Sequence, residues 1–264
     1  MENKNFKFKK KIGQKILQDN NILNNIANSV DVTNEDMVIE IGPGGGALTS
    51  KLIEKTKNLL CFEIDTSLVD ELKKFENLGA KIVYKDFLTQ DVNSIIKDYS
   101  YKSLYMIANL PYYITTPIIS KIIDENIPVA SCVFMVQKEV ADRLKAQPNS
   151  KQYNSLTIFI DYYFEVKKLF DVSRNAFYPK PNVDSSVVLL RKRTNKKVNV
   201  KDEKVFFKLI RDSFKFKRKT LKNNLVNYNF HVIENVLKKY NLDLTVRAEA
   251  LSIEIFSEIA NALS

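Results

Sequence analysis

The sequence is poor in the residues that build metal sites and hydrolytic triads. Its 264 residues include one histidine, His231, and two cysteines, Cys61 and Cys132. A single histidine without a cysteine cluster argues against a zinc site and against Ser-His-Asp catalysis. Each cysteine falls in an apolar, strand-like run, so both read as buried, reduced thiols rather than parts of a disulfide framework. No apolar run reaches the roughly 18 residues that would suggest a membrane span. The N-terminus is basic but has no apolar signal core, and no arginine precedes Arg143, which argues against an organelle transit peptide. These absences together predict a cytoplasmic protein with no membrane partner and no metal.

What is present is a chain able to fold and unevenly charged. Hydrophobic residues make up 45% and charged residues 27%, enough for one sizeable domain and a smaller one. The net charge of +10 is concentrated in two blocks. Residues 191–222 hold 14 Lys/Arg against 3 Asp/Glu, and residues 1–15 hold 6 Lys and 1 Glu, so the rest of the chain is acidic. A lysine-rich composition alone fits a lysine-rich proteome as well as it fits a polyanionic partner. The clustering favours nucleic acid, because grouped cations release counterions from a phosphate backbone.

Hydrophobic periodicity divides the chain further. Residues 12–30 carry apolar positions at helical spacing. Strands are predicted at 37–41, 59–64, 81–84, 104–108 and 129–136, alternating with helices at 48–55, 68–75 and 118–124 and around 139–144. Residues 156–164 and 187–190 read as β-rich and close the sheet. The alternation implies an α/β fold with a mostly parallel sheet covered by helices, whose ligands lie beyond the carboxyl ends of the strands. After a polar linker at 194–200 the pattern is purely helical. The predicted domains are therefore 1–193, with a basic N-terminal arm, and a small all-helical domain, 194–264.

Each candidate site residue falls at a predicted strand end. Glu40-Ile41-Gly42-Pro43-Gly44-Gly45-Gly46-Ala47-Leu48-Thr49 follows the first strand. Gly42, Gly44 and Ala47 also satisfy the dinucleotide-binding pattern, and Glu63 could bind a ribose in either reading. Two features favour a methyltransferase. Glu40 sits two residues before the first glycine, where dinucleotide enzymes usually have an apolar residue. Asp86, in Tyr84-Lys85-Asp86-Phe87, puts a carboxylate at the next strand end, able to accept from an adenine amine while Phe87 flanks the ring. Three acids suit a ligand bearing a sulfonium, an ammonium and a ribose, and repel a pyrophosphate. Singly, Glu63 and Asp86 would read as turn or cap residues.

Asn109-Leu110-Pro111-Tyr112 follows the fourth strand and is the most specific signal in the chain. An adenine amine is a poor nucleophile because its lone pair is delocalised into the ring. The Asn109 side-chain oxygen and the Leu110 carbonyl can accept its two N–H groups and aim the lone pair. Pro111 stiffens the turn, and Tyr112 offers a face on which a flipped base can stack. No general base is needed before transfer.

With these motifs in hand, the chain resembles the ribosomal RNA adenine dimethyltransferases, most closely those of the small subunit, almost end to end. Lys11-Ile12-Gly13-Gln14-Lys15-Ile16-Leu17 resembles the family's N-terminal cofactor-capping motif. The segment from Phe134 to Ala141 and the Phe177-x-Pro179-x-Pro181-x-Val183-Asp184-Ser185 run resemble two further signatures. The latter points to the small-subunit branch rather than to the relatives that confer macrolide resistance on large-subunit RNA. The resemblance implies a Rossmann-like S-adenosylmethionine-dependent methyltransferase domain with a mostly parallel seven-stranded sheet. It implies cofactor contacts at Gln14, Lys15, Leu17, Gly42, Glu63, Asp86 and Asn109, and Glu40, Gly44, Ile64 and Phe87 complete the expected cofactor set. It implies a target adenine sandwiched by Tyr112 and Phe177, for which core packing is the competing role. The implied substrate is a pair of adjacent adenines near the 3′ end of small-subunit rRNA, each methylated twice, met on immature small subunits by a monomer. Lys9, Lys10, Lys11, Lys215, Lys217, Arg218, Lys219 and Lys222 are the expected RNA contacts. Lys15 and Ile16 depart from the family's usual Asn and Phe. Lys217 replaces a common Arg, keeping the charge but losing the bidentate fork. The competing readings are a large-subunit adenine methyltransferase, a non-catalytic RNA-binding assembly factor and a nicotinamide-dependent oxidoreductase.

Overall fold

The structure is a computed structural model that describes residues 16, 17, 19–111 and 113–264. A seven-stranded sheet organises it, in the order β4-β3-β2-β5-β6-β9-β7. Its strands are β2 (Met37–Ile41), β3 (Asn58–Phe62), β4 (Lys81–Val83), β5 (Leu104–Asn109), β6 (Val129–Gln137), β7 (Phe164–Val172) and β9 (Ser185–Lys192). The pairs β2–β3, β3–β4, β2–β5 and β5–β6 are all parallel. Every residue of β2 is buried, as expected for a central strand covered on both faces. A separate antiparallel pair joins β1 (Ile16–Leu17) to β8 (Phe177–Tyr178).

The strand order reverses at β2, which lies between β3 and β5, so the crevice beyond its carboxyl end is a topological switch point. The connecting helices are α1 (Asn20–Ala27), α2 (Thr49–Leu52), α3 (Val69–Glu76), α4 (Val92–Ile96) and α5 (Thr115–Asp124). Two of them, α1 and α4, begin on side-chain caps. Asp19 Oδ1 accepts from the N–H groups of Asn21 and Ile22, and Asp91 Oδ1 accepts from Ser94 N–H.

Two predictions need correction. Residues 156–164 were expected to be β-rich, but Ser155–Tyr163 is a helix, α7, and the strand begins at Phe164. The cause is a capping box: Asn154 Oδ1 accepts from Leu156 and Thr157 N–H, while Thr157 Oγ1 accepts from Asn154 N–H at 3.2 Å. A helix with Thr157, Ile158, Ile160 and Tyr162 all buried has no polar stripe and mimics a buried strand. The domain division also differs from a single cut at 193/194. One compact unit comprises residues 1–138 and 169–189, the other 139–168 and 190–264.

Each unit has its own core. The first packs Val38, Leu52, Leu59, Cys61, Leu72, Phe75 and Ile107 with their neighbours. The second contains α6 (Lys138–Leu144, from Glu139 onward), α7, α8 (Glu203–Ser213), α9 (Leu221–Asn224), α10 (Phe230–Lys238) and α11 (Ile253–Leu263). Its core joins Tyr153, Ile158 and Tyr162 to Phe206, Leu209, Ile233, Leu237 and Phe256. The Tyr153 hydroxyl donates to the Leu251 carbonyl at 3.0 Å, so its buried oxygen is satisfied. Among the described residues no helix is long and apolar enough to cross a membrane.

Candidate active site

A cavity of 1120 Å³ opens at the carboxyl ends of β2, β3, β4 and β5, within the first unit. Its wall includes Glu40, Gly42, Gly44, Glu63, Ile64, Asp86, Phe87, Asn109 and Pro111, with Leu17 also contributing. Four separate strand ends thus deliver the residues singled out in the sequence to one space.

The glycine turn is shaped by what surrounds it. Gly42, Gly44 and Gly46 adopt positive φ values of 70°, 56° and 80°, which other residues reach only with strain. Gly42 N–H donates to the Phe62 carbonyl at 2.9 Å, tying the turn to the end of β3. At Gly46 the constraint is also steric, because a Cβ there would fall on the ring of Phe75. Gly44 N–H points at Glu63 and donates to Oε2 at 3.0 Å, while Oε1 accepts from Asp65 N–H at 2.8 Å. Glu63 is therefore held by backbone on both oxygens. Burial raises its pKa above the ordinary value, against the opposing pull of those N–H donors.

Glu40 is 1% exposed and lines the cavity. Burial pushes its pKa from 4.5 up to about 7, partly offset by the nearby Thr49 and Cys61 side chains and reinforced by the charge of Glu63. The parallel register sets Cys61 of β3 opposite Glu40, and Cys61 Sγ donates to Glu40 Oε2 at 3.6 Å. Thr49 Oγ1 is buried and completes no hydrogen bond of ordinary geometry, although its proximity lowers the Glu40 pKa. A buried carboxyl beside an unsatisfied hydroxyl suits the polar, cationic end of a ligand.

At the third strand end, Asp86 Oδ1 accepts from Leu88 N–H at 2.9 Å, and no described residue donates to Oδ2. Phe87 is buried on the cavity wall and meets Phe62 edge to face, with centroids 5.3 Å apart. One free carboxylate oxygen above an aromatic wall fits a purine amine. At the fourth strand end, Asn109 closes β5 and lines the cavity, and its side chain bonds to no described residue. Leu110 is buried, and its N–H donates to the Met135 carbonyl of β6 at 3.3 Å, which anchors the turn.

The remaining expectations divide three ways. Tyr112, Gln14, Lys15, Lys9, Lys10 and Lys11 lie outside the described residues. Phe177 is 5% exposed, belongs to the first unit's hydrophobic core and is not among the residues of the cavity wall. Lys215, Lys217, Arg218, Lys219 and Lys222 are exposed on the second unit, with no carboxylate within ion-pair distance among the described residues. Sequence reasoning missed Tyr113, 73% exposed on the cavity rim beside the Asn-Leu-Pro-Tyr motif. It also missed the coupling of Cys61 to Glu40. That coupling was available only through strand register.

Comparison with known proteins decides the family. Residues 5–264 match the ribosomal RNA adenine dimethylases. The chain belongs to that family. Among curated relatives, the ribosomal RNA small subunit methyltransferase A of Bacillus pumilus is 45% identical, covering 98% of this chain and 92% of the relative. The protein of the same name from Clostridium botulinum (strain Kyoto) is 41% identical over 98% and 94%. Among solved structures, a dimethyladenosine transferase from Plasmodium falciparum superposes with a TM-score of 0.76 at 26% identity, covering 92% of this chain and 95% of that one. The 23S rRNA methyltransferase ErmE shares the fold, with a TM-score of 0.73 at 21% identity. This dimethylase is accordingly a Rossmann-like α/β protein, and its glycine turn, its acids, Asn109 and Pro111 line the crevice beyond the strand ends.

Proposed function

We propose that this dimethylase transfers methyl groups from S-adenosylmethionine to the exocyclic amines of two adjacent adenines near the 3′ end of small-subunit rRNA. The observation that carries the reading is the convergence of Asn109 and Pro111 on the cavity that holds the glycine turn, Glu63 and Asp86. S-adenosylmethionine supplies a methyl group made electrophilic by its sulfonium. Glu63 and the glycine turn hold the ribose end, Asp86 and Phe87 the adenine end, and Glu40 the cationic end. Gln14, Lys15, Leu17 and Ile64 complete the enclosure.

The target base enters at the Asn109 corner. The amide oxygen of Asn109 and the carbonyl of Leu110 accept the two N–H groups of the amine, pulling its nitrogen toward tetrahedral geometry. Alignment accounts for most of the acceleration. The proton leaves after transfer, when the nitrogen is cationic and strongly acidic, so water suffices to take it. Tyr112 stacks on one face of the base, and Phe177 is the residue proposed for the other. Lys215, Lys217, Arg218, Lys219, Lys222 and the N-terminal lysines hold the RNA backbone, which positions the substrate without selecting the base. The protein works in the cytoplasm as a monomer, without a metal, on immature small subunits.

The test is Asn109→Ala. Loss of one transition-state hydrogen-bond partner should lower turnover by about 100-fold or more, with RNA affinity nearly unchanged. Near-normal turnover would remove Asn109 from the acceptor role. Calorimetry with S-adenosylmethionine and with NAD separates this reading from an oxidoreductase, which would prefer NAD.

A further inference from the structure

The second unit carries an exposed aromatic ring in the most cationic stretch of the chain. Phe216 is 54% exposed and stands between Lys215 and Lys217, with Arg218, Lys219 and Lys222 following. A single exposed apolar side chain is ordinary on a protein surface. Two observations set this one apart.

The first is that its backbone is fixed by a buried side chain. Asn224, at the end of α9, accepts from Phe216 N–H through Oδ1 at 3.1 Å. Its Nδ2 donates to the carbonyls of Ser213 at 2.8 Å, Phe216 at 3.2 Å and Lys219 at 3.4 Å. Both polar backbone groups of Phe216 are thus held by one amide, and Lys219 N–H closes the turn onto the Phe216 carbonyl at 2.9 Å. A rigid turn that pushes phenylalanine into solvent loses little entropy when the ring meets a partner.

The second is the charge around the ring. Lys215 Nζ lies over the ring, 5.5 Å from its centroid, and Lys217 Nζ donates to the backbone carbonyl of Lys151. An exposed ring with one ammonium over it and further cations next to it along the chain matches one class of ligand closely: a nucleobase with its phosphates. Stacking takes the base face, and the lysines take the backbone. A hydrophobic protein surface would gain nothing from the cations.

We propose that Phe216 is a stacking platform for an unpaired base of the RNA substrate, a positioning residue remote in sequence from the Asn109 motif. The proposal rests on the rRNA methyltransferase reading and adds an aromatic contact to what was otherwise a purely electrostatic surface.

The experiment uses the full-length protein with naked small-subunit rRNA and, separately, with protein-bearing small-subunit particles. Phe216→Ala should weaken naked-RNA binding by about 5- to 150-fold, the range for loss of one stacked base. The salt dependence should keep its slope, because no charge is removed. KM for RNA should rise while kcat and S-adenosylmethionine affinity hold, and Phe216→Tyr should stay near wild type. Thermal melting confirms that the Ala variant is folded. Unchanged RNA affinity in Phe216→Ala, or full affinity in Phe216→Leu, overturns the stacking role. A loss confined to the protein-bearing particles overturns it too, by making Phe216 a protein contact. Failure of the wild-type protein to bind or methylate rRNA would instead sink the underlying functional reading.

Discussion

Glu40 offers a test that needs no substrate. Its carboxyl is buried, and its pKa rises from 4.5 to about 7 on folding. Between those pH values the folded protein holds a proton that the unfolded chain has released. By linkage, stability must fall as pH rises across this window and level off above about 7. At about 1.4 kcal/mol per pKa unit, the loss between pH 5 and pH 8 comes to about 2.5 kcal/mol. Glu40→Gln keeps the shape and an oxygen that can accept from the Cys61 thiol, but it cannot titrate. Urea unfolding of both proteins at pH 5, 6, 7 and 8 isolates the effect, because the other ionisable groups cancel in the difference. The wild type should lose about 2.5 kcal/mol more than the variant over that range. Parallel stability profiles would refute the reasoning and show that water reaches the carboxyl. The same logic extends to the ligand. A cation placed against Glu40 favours its ionised form, so S-adenosylmethionine should bind more tightly as pH rises toward about 7 and should expel a proton below it. The variant's affinity should change less over that range, because only Glu63 then remains as a raised carboxyl in the site.

Two other perturbations follow from the geometry. Gly46→Ala combines a positive φ with a collision against Phe75, and should cost about 2–5 kcal/mol in urea unfolding. Gly42→Ala, with the same backbone problem but open space around its Cβ, should cost only about 1–2 kcal/mol; equal costs would mean that the Phe75 contact is unimportant. Neutralising Lys217, Arg218 and Lys219 together should reduce the salt slope of RNA binding by about 2 to 3, and an unchanged slope would put the RNA surface elsewhere.

Much of the first unit was legible because strand and helix periods differ. The motifs after β2, β3, β4 and β5 were each assigned to a strand end, and all four ends meet at one cavity. Where patterning carries no contrast, the reading failed. Helix α7 is apolar on several sides, and only its Asn154–Thr157 cap distinguishes it from a strand. Phe177 leaves two roles open in the sequence, since an aromatic in a signature motif looks alike whether it faces a ligand or the core. The link from Cys61 to Glu40 depends on register, and a linear sequence does not display which residues lie side by side.

The helical unit draws its core from two separated stretches of chain, 139–168 and 190–264. Tyr153, Ile158 and Tyr162 from the earlier stretch pack with Phe206, Leu209 and Phe256 from the later one. Chimeras that splice a foreign tail at residue 194 would therefore set a foreign interior against the native Tyr153, Ile158 and Tyr162. Hybrids intended to exchange RNA preference between relatives must transplant both stretches as a matched set.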